Sequence, residues 1–271
     1  MSSTTKIIRI LALGDIHGGL SALKKGIETM KNYDFDAVVC VGDFASLRFT
    51  DPLKELENIA KIFDLLDSLE VPVYYVWGNR DLMLFDLVVR LVGVRRERAL
   101  ELIRRLIHHD YLYEVSRGTR YKLGFASIVS DPKIVEPNSI LLVHYIDHVA
   151  KGALLHIEGH VHYGQYKDNY INLGFVYRDD LHGAEPMEGM IWLIEIRREG
   201  GRVHIDRKYV LLDRRFKEMI CDLHFDEGVF IVPSKWRRCP VCYDPTKAKF
   251  VHLLIPTYGA VDRLLYGDNL G

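Results

Sequence analysis

The sequence predicts an α/β fold with two β-sheets, flanking helices and a small metal-stabilised appendage at its C-terminal end. Three observations carry this expectation. The first third alternates apolar strand-like runs with glycine turns and helical periods. Short alternating runs from residue 112 onward supply a second sheet. The texture then changes past Leu211, where cysteines cluster.

The first run is Leu11-Ala-Leu-Gly-Asp-Ile-His-Gly18. In a strand, residues two apart point to the same side, so Asp15 and His17 are presented together at its carboxyl end. Open α/β sheets place their chemistry at that end. Segment 20–32 has Leu20, Leu23, Ile27 and Met30 at a helical period. Ala37-Val-Val-Cys-Val-Gly-Asp43 is the next strand and delivers Asp43, with Cys40 as a small core residue. Asp51 caps a second helix with Pro52 in its first turn, continuing through Ile59, Ile62, Phe63, Leu66 and Leu69. Val71-Pro-Val-Tyr-Tyr-Val-Trp-Gly-Asn79 delivers Asn79. Segment 82–109 is helical, split at Gly93. Its second piece is rich in arginine, interleaved with Glu97 and Glu101, which favours a solvated outer face over a nucleic-acid patch. The second sheet is then read from 112–115, 121–127, the strand before His144, 157–159, 170–173, 190–196 and 203–211.

Two further apolar runs end in ligand-type residues: Ile140-Leu-Leu-Val-His144 and Leu154-Leu-His-Ile-Glu-Gly-His-Val-His162. The ordered set D-x-H, G-D, G-N-x-D, isolated H and G-H-x-H resembles the calcineurin-like metallophosphoesterase family over residues 7–211. Tyr170-Ile-Asn-Leu-Gly174 is similar to the family's following strand. The resemblance implies two packed mixed β-sheets flanked by helices, and a domain boundary near residue 211, with 212–271 as the appendage. It also implies that Asp15, His17 and His162 hold one divalent ion and Asn79, His144 and His160 a second, with Asp43 bridging. Taken singly, each residue has a plainer reading: Asp15, Asp43 and Asn79 as helix caps, His144 as a core histidine.

The chemistry explains the residue types. Phosphate-ester hydrolysis needs a nucleophile stronger than water and positive charge where negative charge accumulates, and two divalent ions about 3.5–4 Å apart supply both. Two aspartates and a bridging hydroxide leave such a centre positive, which attracts a phosphate. Imidazole and carboxylate donors suit Mn, Fe, Zn or Ni. The family commonly has His after the Asn, whereas this chain has Arg80. Arginine cannot act as an acid near neutral pH, but it can clamp a phosphoryl oxygen. Asp81 either orients Arg80 or caps the following helix, and His148 is an alternative acid. Activity is therefore expected to favour substrates with good leaving groups.

Past Leu211, Cys221-Asp-Leu-His224 and Cys239-Pro-Val-Cys242 match the spacing of zinc-ribbon knuckles, a tetrahedral structural site of three thiolates and one imidazole. A Cys239–Cys242 redox pair and plain buried thiols are the alternatives. Segments 228–233 and 250–256 are candidate ribbon strands. Lys235-Trp236-Arg237-Arg238 beside the knuckle offers cationic and stacking groups.

Acidic and basic residues number 37 and 36, a net charge of -1, so no global field points to nucleic acid or a membrane. No apolar run is long enough to span a bilayer, and the N-terminus lacks a signal core, so a cytoplasmic protein is expected. The expected function is two-metal hydrolysis of a phosphomonoester or phosphodiester on a phosphorylated small molecule or nucleotide. The alternatives are a nuclease or cyclic-nucleotide phosphodiesterase guided by the ribbon, and a non-catalytic interaction module.

Overall fold

In the computed structural model, residues 5–48, 51–146, 149–180 and 185–243 are described. His148 and the candidate strand 250–256 lie outside them. The chain opens with β1 (Lys6–Leu13), α1 (Leu20–Met30), β2 (Ala37–Cys40), α2 (Pro52–Asp67), β3 (Val73–Tyr75), α3 (Asn79–Val89), α4 (Gly93–Ile107) and β4 (Leu112–Glu114). Short strands follow: β5 (Tyr121–Leu123), β6 (Ala126–Val129), β7 (Ser139–Leu142), β8 (Leu155–Glu158), β9 (Gly164–Lys167) and β10 (Tyr170–Leu173). After them come the small pair β11 (Tyr177–Arg178) and β12 (Met187–Glu188), the long hairpin β13 (Met190–Glu199) and β14 (Arg202–Leu211), then β15 (Phe216–Met219), β16 (Val229–Pro233) and α5 (Pro240–Tyr243).

Two mixed sheets result, in the orders β14-β13-β1-β2-β3-β4 and β15-β16-β9-β10-β8-β7-β6-β5. The α/β class with two mixed sheets and flanking helices is the one the sequence predicts. Strand alternation divides β1 between two cores. Leu11 and Leu13 face the helices together with Val38, Cys40, Leu23, Ile59 and Phe63. Ile8, Ile10 and Ala12 face the second sheet, meeting Ile128, Ile140, Ile157 and Ile171, with Trp192 of the neighbouring β13 in the same core. Both faces of β1 and β2 are thus covered, which is why these strands read as unbroken apolar runs.

Sheet membership departs from the sequence expectation at three strands. Segments 112–115, 190–196 and 203–211, expected in the second sheet, belong to the first. β4 extends the parallel ladder beyond β3, and β13 runs antiparallel to β1 from Lys6↔Arg198 to Leu13↔Ile191. Alternation marks a strand but does not name its partner, and here the partner lies far along the chain.

The expected ribbon strand 228–233 forms as β16, but it joins the second sheet by pairing with β9 as well as with β15. The arginine-rich α4 buries Ala99, Leu102, Ile103 and Leu106 and turns its charges outward, as anticipated. Several of those charges are matched across helices: Arg95 to Asp51 at 2.7 Å, Arg98 to Glu57 at 3.7 Å and Arg105 to Asp64 at 2.5 Å. Such exposed pairs are worth little each, but they offset three of the five α4 arginines. No helix among the described residues is long and apolar enough to cross a membrane.

Candidate metal centre

The loops after β1, β2, β3, β7 and β8 converge at one edge of the sandwich, and each brings a polar side chain. Asp15 follows β1 and stands in a bridge with Phe175. Asp43 follows β2, and Asn79 opens α3. His144 lies two residues past β7, and His160 and His162 occupy the turn between β8 and β9. Four of these residues have left-handed backbone: His17 at φ 43°, Asp43 at 49°, His160 at 71° and His162 at 57°. That conformation is uncommon outside glycine and is held only where the surroundings impose it. It turns the chain sharply, so that residues following buried strands point inward rather than continuing the pleat.

Two groups of donors form. In one, His162 Nε2 lies 3.2 Å from Asp15 Oδ2 and 3.0 Å from His17 Nε2. In the other, His144 Nε2 lies 2.9 Å from Asn79 Oδ1 and 3.1 Å from His160 Nδ1, and the latter two are 3.0 Å apart. Asp43 stands between the groups, with Oδ2 at 3.9 Å from His17 Nε2 and 3.7 Å from His144 Nε2. All seven residues named from the sequence are therefore together.

The donor chemistry fits cations. His144 Nδ1 donates to the Val41 carbonyl at 2.7 Å, which in the neutral ring leaves Nε2 as a lone pair. That lone pair points at Asn79 Oδ1, itself an acceptor. His17 is held the same way through Nδ1 and the Ala45 carbonyl at 3.4 Å. Lone pairs converging at about 3 Å repel one another unless positive charge lies among them.

The carboxylates carry the same message. Burial opposes ionisation of Asp15, but the hydrogen bond from His162 and the neighbouring imidazoles outweigh it and hold this carboxyl below its usual range. For Asp43, burial and then the Asp15 charge push the carboxyl up to about 8, against the opposing Arg80 amide. A second negative charge in this pocket is costly without a cation to accept it.

Supporting residues complete the site. Both Asp15 oxygens accept the His160 N–H, at 3.0 and 3.2 Å, tying the first loop to the last. Asn172 figures in the sequence reading only as part of a strand. Its Nδ2 donates to the Gly159 carbonyl at 2.7 Å, and its Oδ1 accepts the Gly174 N–H at 3.0 Å, bracing the turn that carries His160. Its signal in the sequence is a polar residue inside an apolar run.

Arg80 and Asp81 take different parts. The Arg80 N–H donates to Asp43 Oδ1 at 2.8 Å, and its guanidinium donates to the Ser46 carbonyl at 2.6 Å. Asp81 does not orient Arg80. Its oxygens accept the N–H groups of Gly78 at 2.9 Å and Ala45 at 2.8 Å, so it caps α3 and ties that helix to the Asp43 loop. Two buried amide donors are the stronger claim on a buried carboxylate. Burial and then the Asp43 charge push Asp81 up to about 7.

A family model described as calcineurin-like phosphoesterase matches residues 8–205. No curated protein sequence matches the chain. Among solved structures, TT1561 of Thermus thermophilus is 13% identical, with 77% of this chain and 100% of that one covered at a TM-score of 0.48. A structure described as a novel archaeal phosphodiesterase is 16% identical, covering 75% and 100% at 0.40. Yfce, a phosphoesterase from E. coli, is 14% identical, covering 76% and 100% at 0.33.

Proposed function

The chain belongs to the calcineurin-like phosphoesterase family, and from that premise we propose that it hydrolyses phosphate esters with two divalent ions. Asp15, His17 and His162 would hold one ion, Asn79, His144 and His160 the other, and Asp43 both. The observation that carries the reading is the position of Asp43 Oδ2, within 3.9 Å of a histidine nitrogen from each group. When bound, such a pair acidifies a water between the ions and draws charge from phosphoryl oxygens. Mn, Fe, Zn and Ni all accept this donor set.

The chain's own residues set up that chemistry. The Arg80 amide occupies Asp43 Oδ1 and leaves Oδ2 facing both groups. The Val41 and Ala45 carbonyls fix the His144 and His17 rings with Nε2 inward. Arg80 is the candidate clamp for a phosphoryl oxygen, with its guanidinium steadied on Ser46. No histidine occupies position 80 to protonate a departing oxygen, so esters with good leaving groups are the favoured substrates.

A phosphorylated small molecule or nucleotide is the substrate class proposed. In support of it, three of the five α4 arginines, Arg95, Arg98 and Arg105, are matched with acids on α2 and its cap, which weakens the basic face this helix offers to a nucleic acid. The test is turnover of nitrophenyl phosphate, bis-nitrophenyl phosphate and a labelled oligonucleotide with Mn and other divalent ions. Metal-dependent hydrolysis of at least one nitrophenyl ester, lost in Asp43→Asn, is expected. An inert protein under every metal overturns the proposal.

A further inference from the structure

Outside the centre just described, a second cluster of metal-type donors lies at the far edge of the second sheet. Cys221 and His224 follow β15, and Cys239 and Cys242 follow β16, the last two at the start of and within α5. We propose that Cys221, His224, Cys239 and Cys242 hold one structural zinc ion, and that this ion clamps the β15–β16 edge against the turn carrying His160 and His162.

The distances are those of a tetrahedron around a shared cation. With Zn–S near 2.3 Å and Zn–N near 2.0–2.1 Å, tetrahedral angles place two sulfurs about 3.8 Å apart and a sulfur and a nitrogen about 3.6 Å apart. The Sγ atoms of Cys221, Cys239 and Cys242 lie 3.6, 3.4 and 3.4 Å from His224 Nδ1. Cys221 Sγ and Cys242 Sγ are 3.6 Å apart, and all four donors fall within 4.8 Å of one another.

Neither alternative accounts for this arrangement. An imidazole nitrogen offers one lone pair or one proton and so can pair with a single sulfur, yet all three sulfurs lie within 3.6 Å of His224 Nδ1. A disulfide needs sulfurs about 2.05 Å apart and would remove two thiols while ignoring the imidazole. One ion at the centroid satisfies all four. Both knuckles are also closed by backbone hydrogen bonds, His224 N–H to the Cys221 carbonyl and Cys242 N–H to the Cys239 carbonyl, each 3.1 Å.

The site is wired to the fold on one side. Cys239 is fully buried with Phe230 and Val232, and Tyr163, Met219 and Trp236 pack on this small cluster. Tyr163 is the residue after His162, and its ring stands 6.0 Å from that of Phe230. β16 pairs with β9, which begins at Gly164 directly after that turn. So small a cluster has little apolar surface with which to hold itself together, and a bound metal supplies the missing stability.

The experiment uses the full chain carrying Asp43→Asn, which weakens the dinuclear centre. Elemental analysis should return one tightly held zinc. Replacement by Co(II) should give intense visible bands and a near-ultraviolet thiolate-to-cobalt charge transfer, which nitrogen and oxygen donors do not produce. Both should vanish in Cys239→Ser with Cys242→Ser. Mercurial displacement of the zinc should abolish the exchange protection of amides 164–167 and 229–232. No thiolate-to-cobalt band, or a thiol count lowered by two in the purified protein, overturns the zinc. Unchanged protection after displacement overturns the clamp. The cobalt spectrum needs no cysteine variant, so a misfolded double variant does not decide the matter.

Discussion

The Nε2 atoms of His17 and His162 face each other at 3.0 Å, with their rings edge to face at 88°. The loop after β1 and the turn after β8 thus meet through these two nitrogens as well as through the His160 N–H on Asp15. His162 also reaches Asp15 at 3.2 Å, so its ring is the closing member of that group. His162→Ala should therefore lower metal-dependent kcat/KM by roughly 100-fold or more, through lost retention of one ion. Because the ring is partly exposed, the fold should survive. Titration calorimetry with Mn should show one binding event retained and one lost. Two intact events in the variant refute this ligand assignment.

Asp43 links the centre to stability. Its carboxyl, at about 8 in the folded protein against an ordinary 3.8, is raised by burial and by Asp15. A raised acid contributes its full stability below the unfolded value and loses it as pH rises through the folded value. Metal-free wild type should then lose stability relative to metal-free Asp43→Asn as pH rises from about 4 to about 8. Thermal melts of both chelator-treated proteins across that range measure the difference. A constant gap, or one that widens in the wild type's favour as pH rises, refutes the prediction.

Asp81 offers a structural control on the same helix. Removing its carboxylate leaves the Gly78 and Ala45 amides without this acceptor in a buried setting. Asp81→Ala should cost about 1–3 kcal/mol, read as a fall in Tm, because such orphaned donors carry their full desolvation penalty. A Tm unchanged within error would mean that water replaces the carboxylate.

Gly78 approaches Asp43 so closely that a Cβ would fall on the Asp43 carboxylate. Gly78→Ala, an innocuous change at an extended position of φ -95°, should therefore push Asp43 out of line between the two groups. We expect activity to fall at least tenfold while far-ultraviolet circular dichroism stays native. Full activity in this variant would show that the loop after β2 yields freely.

The fold and the site were legible to different depths. Strand ends and ligand types were readable because buried parallel strands leave long apolar runs, and a polar residue at the end of one is conspicuous. Partner choice was not: β13 beside β1 depends on contacts between residues 6 and 198, and alternation carries no such information. The role of Asp81 was also hidden, since capping and orienting a neighbour require the same residue at the same place. The left-handed backbone at His17, His160 and His162 left no mark, because nothing but glycine advertises positive φ. Asn172 stands out as a polar residue inside an apolar run, but what it braces does not, being a matter of which carbonyl a side chain finds across the sheet.

Arg80 gives the sharpest chemical test. Its amide holds Asp43 and its guanidinium rests on the Ser46 carbonyl, which places a cationic but non-acidic group at the start of α3. A nitrophenolate departs without protonation, whereas an alkoxide needs a proton as the bond breaks, and a positioned acid is typically worth 10²–10⁴-fold there. Wild type should accordingly hydrolyse nitrophenyl phosphate far faster than an alkyl phosphate. Arg80→His keeps the amide bond to Asp43 and introduces a titratable donor at the same position. It should raise alkyl phosphate turnover relative to nitrophenyl phosphate by about tenfold or more, with a new acidic limb in the pH profile for the alkyl ester. Arg80→Ala, which also keeps the amide, should slow both esters by a similar factor. If histidine leaves the ratio of the two rates unchanged, the absence of an acid at position 80 does not set leaving-group preference.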